Sequence, residues 1–205
     1  FRALRRAYPT AYISHLTSST TAPIFAGNPD LNEVISLEKT MGIRAYVTFL
    51  LNLRRGGWDI VFDFLGNPRT ALLTLFTWAL QRFGFDYRVR RYCYTHVVKR
   101  RREPVYAVDF NMDLLRPLSV PSQGKEMTLV IPPGAQEKAK EFMDSLSLNG
   151  PVFTISPVSR RVYKRWPEER FSLLADSLVE TYGAQVVFLW GPGEEAVVKR
   201  ISENM

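Results

Sequence analysis

Apolar residues along this chain follow two periods that alternate. The runs Ala11 to Leu16 (AYISHL), Glu33 to Leu37 (EVISL), Trp58 to Phe64 (WDIVFDF) and Arg82 to Phe85 read as strands. Between them, Gly42 to Leu53 puts Tyr46, Phe49, Leu50 and Leu53 at helical spacing, and Thr70 to Leu80 (TALLTLFTWAL) is a second helical stretch. Thr21 to Ala26 reads as a short helix. The turns Gly27-Asn28-Pro29-Asp30, Gly56-Gly57 and Gly66-Asn67-Pro68 punctuate the series. Val105 to Leu118 and Ala135 to Leu146 read as further helices, with Ser119 to Lys125 as a linker. Asn149-Gly150-Pro151 marks the expected domain boundary. A new unit follows it: a strand at Val152 to Ser156, a helix at Pro167 to Tyr182 with Phe171, Leu174, Ala175 and Leu178 inward, and a strand at Gln185 to Trp190. Strands alternating with helices at these intervals imply βαβ units, hence an α/β protein with parallel sheets.

Composition adds a sign to this picture. The 205 residues carry a formal charge of +7 and one cysteine, Cys93. An internal disulfide is therefore impossible, and a zinc cluster is excluded. The excess of cations points either to an anionic partner or to simple solubility charge. Thr70 to Leu80 is about half the ~20 apolar residues of a membrane span, so it reads as a buried helix, partly membrane-facing. The opening FRALRRAYP has no secretory h-region and reads as the tail of an amphipathic helix already under way.

The segment SPVSRRVYKRWPEERF concentrates candidate chemistry. A loop holding Ser159, Arg160, Arg161, Lys164 and Arg165 follows a strand and precedes a helix whose first position is Pro167. Open α/β sheets bind ligands at the carboxyl ends of their strands. A diphosphate there would meet a hydroxyl, cations and helix amides together. The alternative is a solvated basic loop, with Arg165 free or paired with Glu168 or Glu169. The second junction, Trp190 to Glu195, offers Gly191 and Gly193 for close backbone approach and a carboxylate for ribose hydroxyls. It reads equally as a turn with acidic helix-start residues. Asp63, Asn67 and Arg69 also follow a strand. Asp63 is a candidate base or a loop cap, and Arg69 an anion contact. Arg88, Arg90, Arg91, Lys99, Arg100, Arg101 and Arg102, interleaved with Tyr87, Tyr92 and Tyr94, form either a phosphate-binding tract or a mobile charged loop. A basic nucleic-acid module is the rival of another class. It is disfavoured because single-strand readers expose aromatics on a sheet face, whereas the Phe and Trp residues here fall at core-like positions.

Taken together, LRRAYPTAYISHL, AGNPDLNEVI, WDIVFDFLGNPRTALL, RFGFD, YAVDFNMDLL, ISPVSRRVYKRWPEERFSLLADSL and VVFLWGPGEE resemble glycosyltransferase family 9, the ADP-heptose:lipopolysaccharide heptosyltransferases, in the family's order. The resemblance implies the GT-B fold, with two Rossmann-like parallel-sheet domains, both incomplete here. Residues 1–148 would be the acceptor-binding domain with a linker helix, and 149–205 the start of the nucleotide-sugar domain. It implies Lys164 on the donor diphosphate, offsetting charge on the leaving group, with Ser159, Arg160, Gly191, Glu194 and Glu195 around the donor. Asp63, Asn67, Arg69, Arg88, Arg90 and Arg91 would meet an anionic lipopolysaccharide acceptor. It implies no metal, no cofactor beyond an ADP-sugar, no nucleic acid, and a cytoplasmic enzyme peripheral to the inner membrane of a Gram-negative bacterium. The family's Gly-Asp loop, source of the catalytic aspartate, is expected ahead of Phe1, and its Asp-Ser-Gly-x-x-His segment after Met205. Leu65 stands where relatives often carry a polar residue, and Tyr106 where histidine is common.

Overall fold

The computed structural model describes residues 1–122, 124, 126–146 and 150–205. The expected linker end at Lys125 and the boundary residue Asn149 lie outside them. The chain divides into two compact units, Phe1–Val130 and Ile131–Met205. Every strand pairing among the described residues is parallel, as the α/β pattern requires.

The first unit opens with helix α1 (Arg2–Ala7), then strands β1 (Ser14–Ser18) and β2 (Glu33–Leu37), which pair. Helix α2 (Ile43–Arg55), strand β3 (Ile60–Asp63), helix α3 (Pro68–Phe76) and strand β4 (Gln81–Phe85) follow. Strand β5 (His96–Val98) completes a sheet of order β3-β4-β5. Helix α4 (Ala107–Met112) closes the series. A cavity of about 550 Å³ lies between the two sheets, lined by β1 and β3 together with Leu4, Leu73 and Trp58. His15 lines it half-buried, edge-on to Phe1 and Phe25, and burial lowers its pKa. Phe83 and Phe85 of β4 form the most buried cluster with Leu114.

Several boundaries differ from expectation, each for a local reason. β1 begins at Ser14, not Ala11, and runs on to Ser18. Trp58 lies outside β3, because its indole N–H donates to the carbonyl of Leu53 (2.6 Å) and seals the end of α2. α3 starts earlier, where Asn67 and Thr70 form a reciprocal cap, and stops at Phe76. There the Thr77 hydroxyl donates to the Thr74 carbonyl (2.6 Å), and Trp78 turns out at φ 58°. The stretch expected as one helix to Leu118 is helical only through Met112. It then tightens to a 3₁₀ turn over Asp113–Leu118, where Pro117 supplies no N–H. The basic tract is built rather than loose: it contains a 3₁₀ turn, Arg88–Cys93, and β5, which at three residues is too short for a periodicity signal.

The second unit holds helix α5 (Pro133–Ser145), strand β6 (Val152–Ile155), helix α6 (Glu168–Tyr182), strand β7 (Gln185–Phe188) and helix α7 (Glu195–Glu203). β6 and β7 run from Val152↔Gln185 to Ile155↔Phe188. Pro167, the expected first helical residue, instead caps α6 with extended backbone (ψ 139°), and the helix begins one position later at Glu168. Ser172 and Ile201 join α6 to α7, the serine hydroxyl donating to the Ile201 carbonyl at 2.8 Å.

Two measurements test this packing. Phe85→Ala removes a fully buried ring and is expected to cost about 3–5 kcal/mol, read as the urea midpoint. Tyr94→Phe deletes the phenol's bond to buried Asp63 (2.7 Å) and is expected to cost about 1–2 kcal/mol. Burial, and then that bond, raise the Tyr94 pKa. Folding therefore favours the neutral phenol, and this contribution is complete below the unfolded value of about 10 and shrinks above it. The gap between wild type and Tyr94→Phe should stay constant to pH 10 and narrow beyond.

Candidate functional site

In the first unit the carboxyl ends of β3, β4 and β5 lie side by side, so three loops leave from one edge. The β3 loop is braced by Asp63, only 4% exposed. One carboxylate oxygen accepts from the Gly66 N–H (2.8 Å), and the other from the Thr70 hydroxyl (3.0 Å) and the Tyr94 phenol (2.7 Å). This is the loop-capping alternative of the sequence reading, with the carboxylate occupied by its own chain. Asn67 is likewise engaged, accepting from the Thr70 N–H at 2.9 Å. Arg69 stays exposed, 5.9 Å from the Tyr46 ring and with a long bond to the Glu38 carbonyl.

The β4 and β5 loops meet at Tyr87. The guanidinium carbons of Arg90 and Arg100 each lie 4.4 Å from its ring centroid. They are therefore no more than about 9 Å apart, within reach of one anionic group. The ring rests on Gly66, where φ is +57° and a Cβ would strike it. Arg88 adjoins with φ 24°, a strained value for a non-glycine residue. Arg91 pairs with Asp86 at 3.4 Å, and Arg101 clamps buried Asp113 through two bonds of 2.5 and 2.6 Å. That bond to Asp113 holds the Arg101 pKa above its already high value. So Arg69, Arg88, Arg90 and Arg91 share one edge with Arg100, while Asp63 and Asn67 support it. The sequence shows tyrosines interleaved with arginines, but the stacking of Arg90 and Arg100 on Tyr87 is visible in it only as an aromatic beside a basic run.

In the second unit the loops after β6 and β7 leave from adjacent carboxyl ends. The first turns through a 3₁₀ segment, Val162–Lys164. Arg165 is neither free nor paired with Glu168 or Glu169: its Nε donates to the Ser159 carbonyl at 2.7 Å and closes the loop. Glu168 instead accepts two hydrogen bonds from the Arg200 guanidinium (2.8 Å each), which lower its pKa. Trp166 packs edge-on against Phe171 at 5.1 Å. Ser159 is half-buried and Arg160 exposed. Lys164 is exposed, and no ion pair to it occurs among the described residues. In the second loop Glu194 folds back to accept from the Gly191 N–H (2.8 Å), Gly193 adopts φ 83°, and Glu195 is exposed in the first turn of α7. One expectation fails outright. Trp78, Trp166 and Trp190 are exposed rather than core residues, so tryptophan placement does not argue against a nucleic-acid partner.

Known proteins share this fold. Over 98% of its length the chain is 26% identical to lipopolysaccharide heptosyltransferase 3 of Escherichia coli, covering 62% of that protein. The crystal structure of a family 9 glycosyl transferase from Veillonella parvula DSM 2008 superposes over the whole chain with a TM-score of 0.87 at 25% identity, and the chain covers 60% of it. The E. coli ADP-heptose lipopolysaccharide heptosyltransferase II shares the fold, with a TM-score of 0.77 at 21% identity; all of this chain matches 62% of that one. The chain thus spans about three-fifths of the length of these relatives. Its residues 47–205 match the family described as glycosyltransferase family 9 (heptosyltransferase), and to that family this chain belongs.

Proposed function

We propose that the protein transfers a heptosyl group from ADP-heptose to the lipopolysaccharide core. The supporting relatives are named for lipopolysaccharide and for ADP-heptose. The observation that carries the reading is Lys164. It is an exposed ammonium without a protein counter-ion among the described residues, on a braced loop at the carboxyl end of β6, beside the glycine loop of β7. In the transfer an acceptor hydroxyl oxygen attacks the anomeric carbon, and the bond from that carbon to the diphosphate oxygen breaks. ADP leaves with the electron pair, and the hydroxyl proton passes to a general base. Lys164, with Arg160 nearby in sequence, offsets charge on the departing diphosphate. Ser159, Gly191, Glu194 and Glu195 line the same two loops as donor contacts. In the first unit, the arginines at Tyr87, with Arg69, Arg88 and Arg91, receive an anionic acceptor. Residues 1–148 would serve the acceptor and 149–205 the donor. A lipid-linked acceptor places the enzyme on the cytoplasmic face of the inner membrane.

Two substitutions separate the two roles. Lys164→Ala is expected to weaken ADP binding about tenfold, or ~1.4 kcal/mol, by calorimetry; unchanged affinity and turnover would sink the role given to Lys164. Tyr87→Leu is expected to raise the acceptor KM several-fold while leaving ADP affinity at its wild-type value. Tyr87→Phe, which keeps the ring, should restore most of the loss.

A further inference from the structure

α2 carries a wide apolar arc, bounded by a polar side of Arg44, Thr48, Asn52 and Arg55. Its inner face, Tyr46, Phe49, Leu50 and Leu53, joins a core cluster with Leu37 and Leu73. The arc continues outward onto an exposed flank: Ile43, Val47 and Leu51 follow one another at i, i+4 and i+8, and Ile43 is 77% exposed. Arg54 continues that stripe at i+11, and its guanidinium carbon sits 3.7 Å from the ring centroid of Trp78. This contact joins the α2 stripe to the end of α3, where Phe76, Trp78 (65% exposed) and Leu80 (84%) also face out. The Thr77 bonds to Thr74 and Ala79 fix the turn that presents Trp78.

We propose that this face of α2 and α3 docks on an anionic phospholipid bilayer. The inference rests on the heptosyl-transfer reading insofar as that reading gives the enzyme a lipid-linked acceptor. A neighbouring set of exposed apolar side chains marks an interaction surface rather than ordinary scatter. Charge selects the occupant. α2 carries Arg44, Arg54 and Arg55 and no acidic residue. Among the described residues none of the three is in an ion pair. Apolar side chains rimmed by arginines match an interfacial helix lying on acidic headgroups. Trp78 under Arg54 suits the same depth, with an indole at the headgroup boundary and a guanidinium reaching for phosphate. A second copy is the poorer occupant, because an isologous contact would set the arginines of one copy against those of the other.

The test is co-sedimentation with vesicles of phosphatidylcholine alone and of phosphatidylcholine mixed with phosphatidylglycerol. The protein should partition onto the mixed vesicles, and the exposed-site double variant Ile43→Gln/Leu80→Gln should lose about tenfold of that partitioning. Trp78→Phe should stay bound, while the blue shift of tryptophan emission seen on vesicle addition diminishes. Unchanged partitioning of the double variant would overturn the proposal. So would a marked fall in its melting temperature, which would mean that protein covers the face, or a dimer that the substitutions dissociate. ADP affinity, measured on the same samples, reports on the transfer reading separately. If wild type fails to bind ADP yet binds vesicles, the transferase reading falls and the docking face stands.

Discussion

The carboxylate of Asp63 ties together three segments that are far apart in sequence. It ends β3, fixes the turn at Gly66, anchors the first turn of α3 through Thr70, and holds the Tyr94 phenol from the segment leading into β5. At 4% exposure a lone carboxylate there would be costly, and these three donors satisfy it. The basic edge depends on this knot in two ways. Gly66 gives Tyr87 a flat seat, and Tyr94 fixes the chain that continues into β5 and then Arg100. A residue with the appearance of a catalytic base therefore serves as the fastener of the basic edge.

The alternating periods made the fold legible. Glu33–Leu37 is a strand at those residues, and Tyr46, Phe49, Leu50 and Leu53 do face the core. Parallel pairing followed from βα alternation alone. Boundaries failed where a side chain, not a period, ends the element: the Trp58 indole at the end of α2, the Thr77 hydroxyl at the end of α3. β5 was invisible because three residues carry no period. The loop after β6 was legible as a basic cluster, but the different contacts of its cations were not. Lys164 and Arg165 look alike in sequence. Only geometry shows that Arg165 closes the loop through the Ser159 carbonyl, while Lys164 has no ion pair among the described residues.

The two halves of the chain solve one problem differently. Each collects cations at the carboxyl edge of parallel strands, where loop backbone is free to shape itself around a ligand. In the second unit the cations lie on one loop closed by its own arginine. In the first they come from separate loops and converge on an aromatic ring. The chain's excess positive charge is thus partly organised into two edges. Among the nearby acids, Asp86 is paired with Arg91, and Asp113 with Arg101 and Arg116.

Tyr87 makes a choice that matters beyond geometry. A carboxylate could hold Arg90 and Arg100 as firmly, but it would cancel the field they project. A neutral ring holds them by its quadrupole and leaves both charges unneutralised. Their attraction for an approaching anion then extends over a Debye length, about 8 Å at physiological ionic strength. Added salt shortens that reach while the contact with the ring persists. The shape of this surface is therefore set by packing, while the reach of its field is set by the surrounding electrolyte.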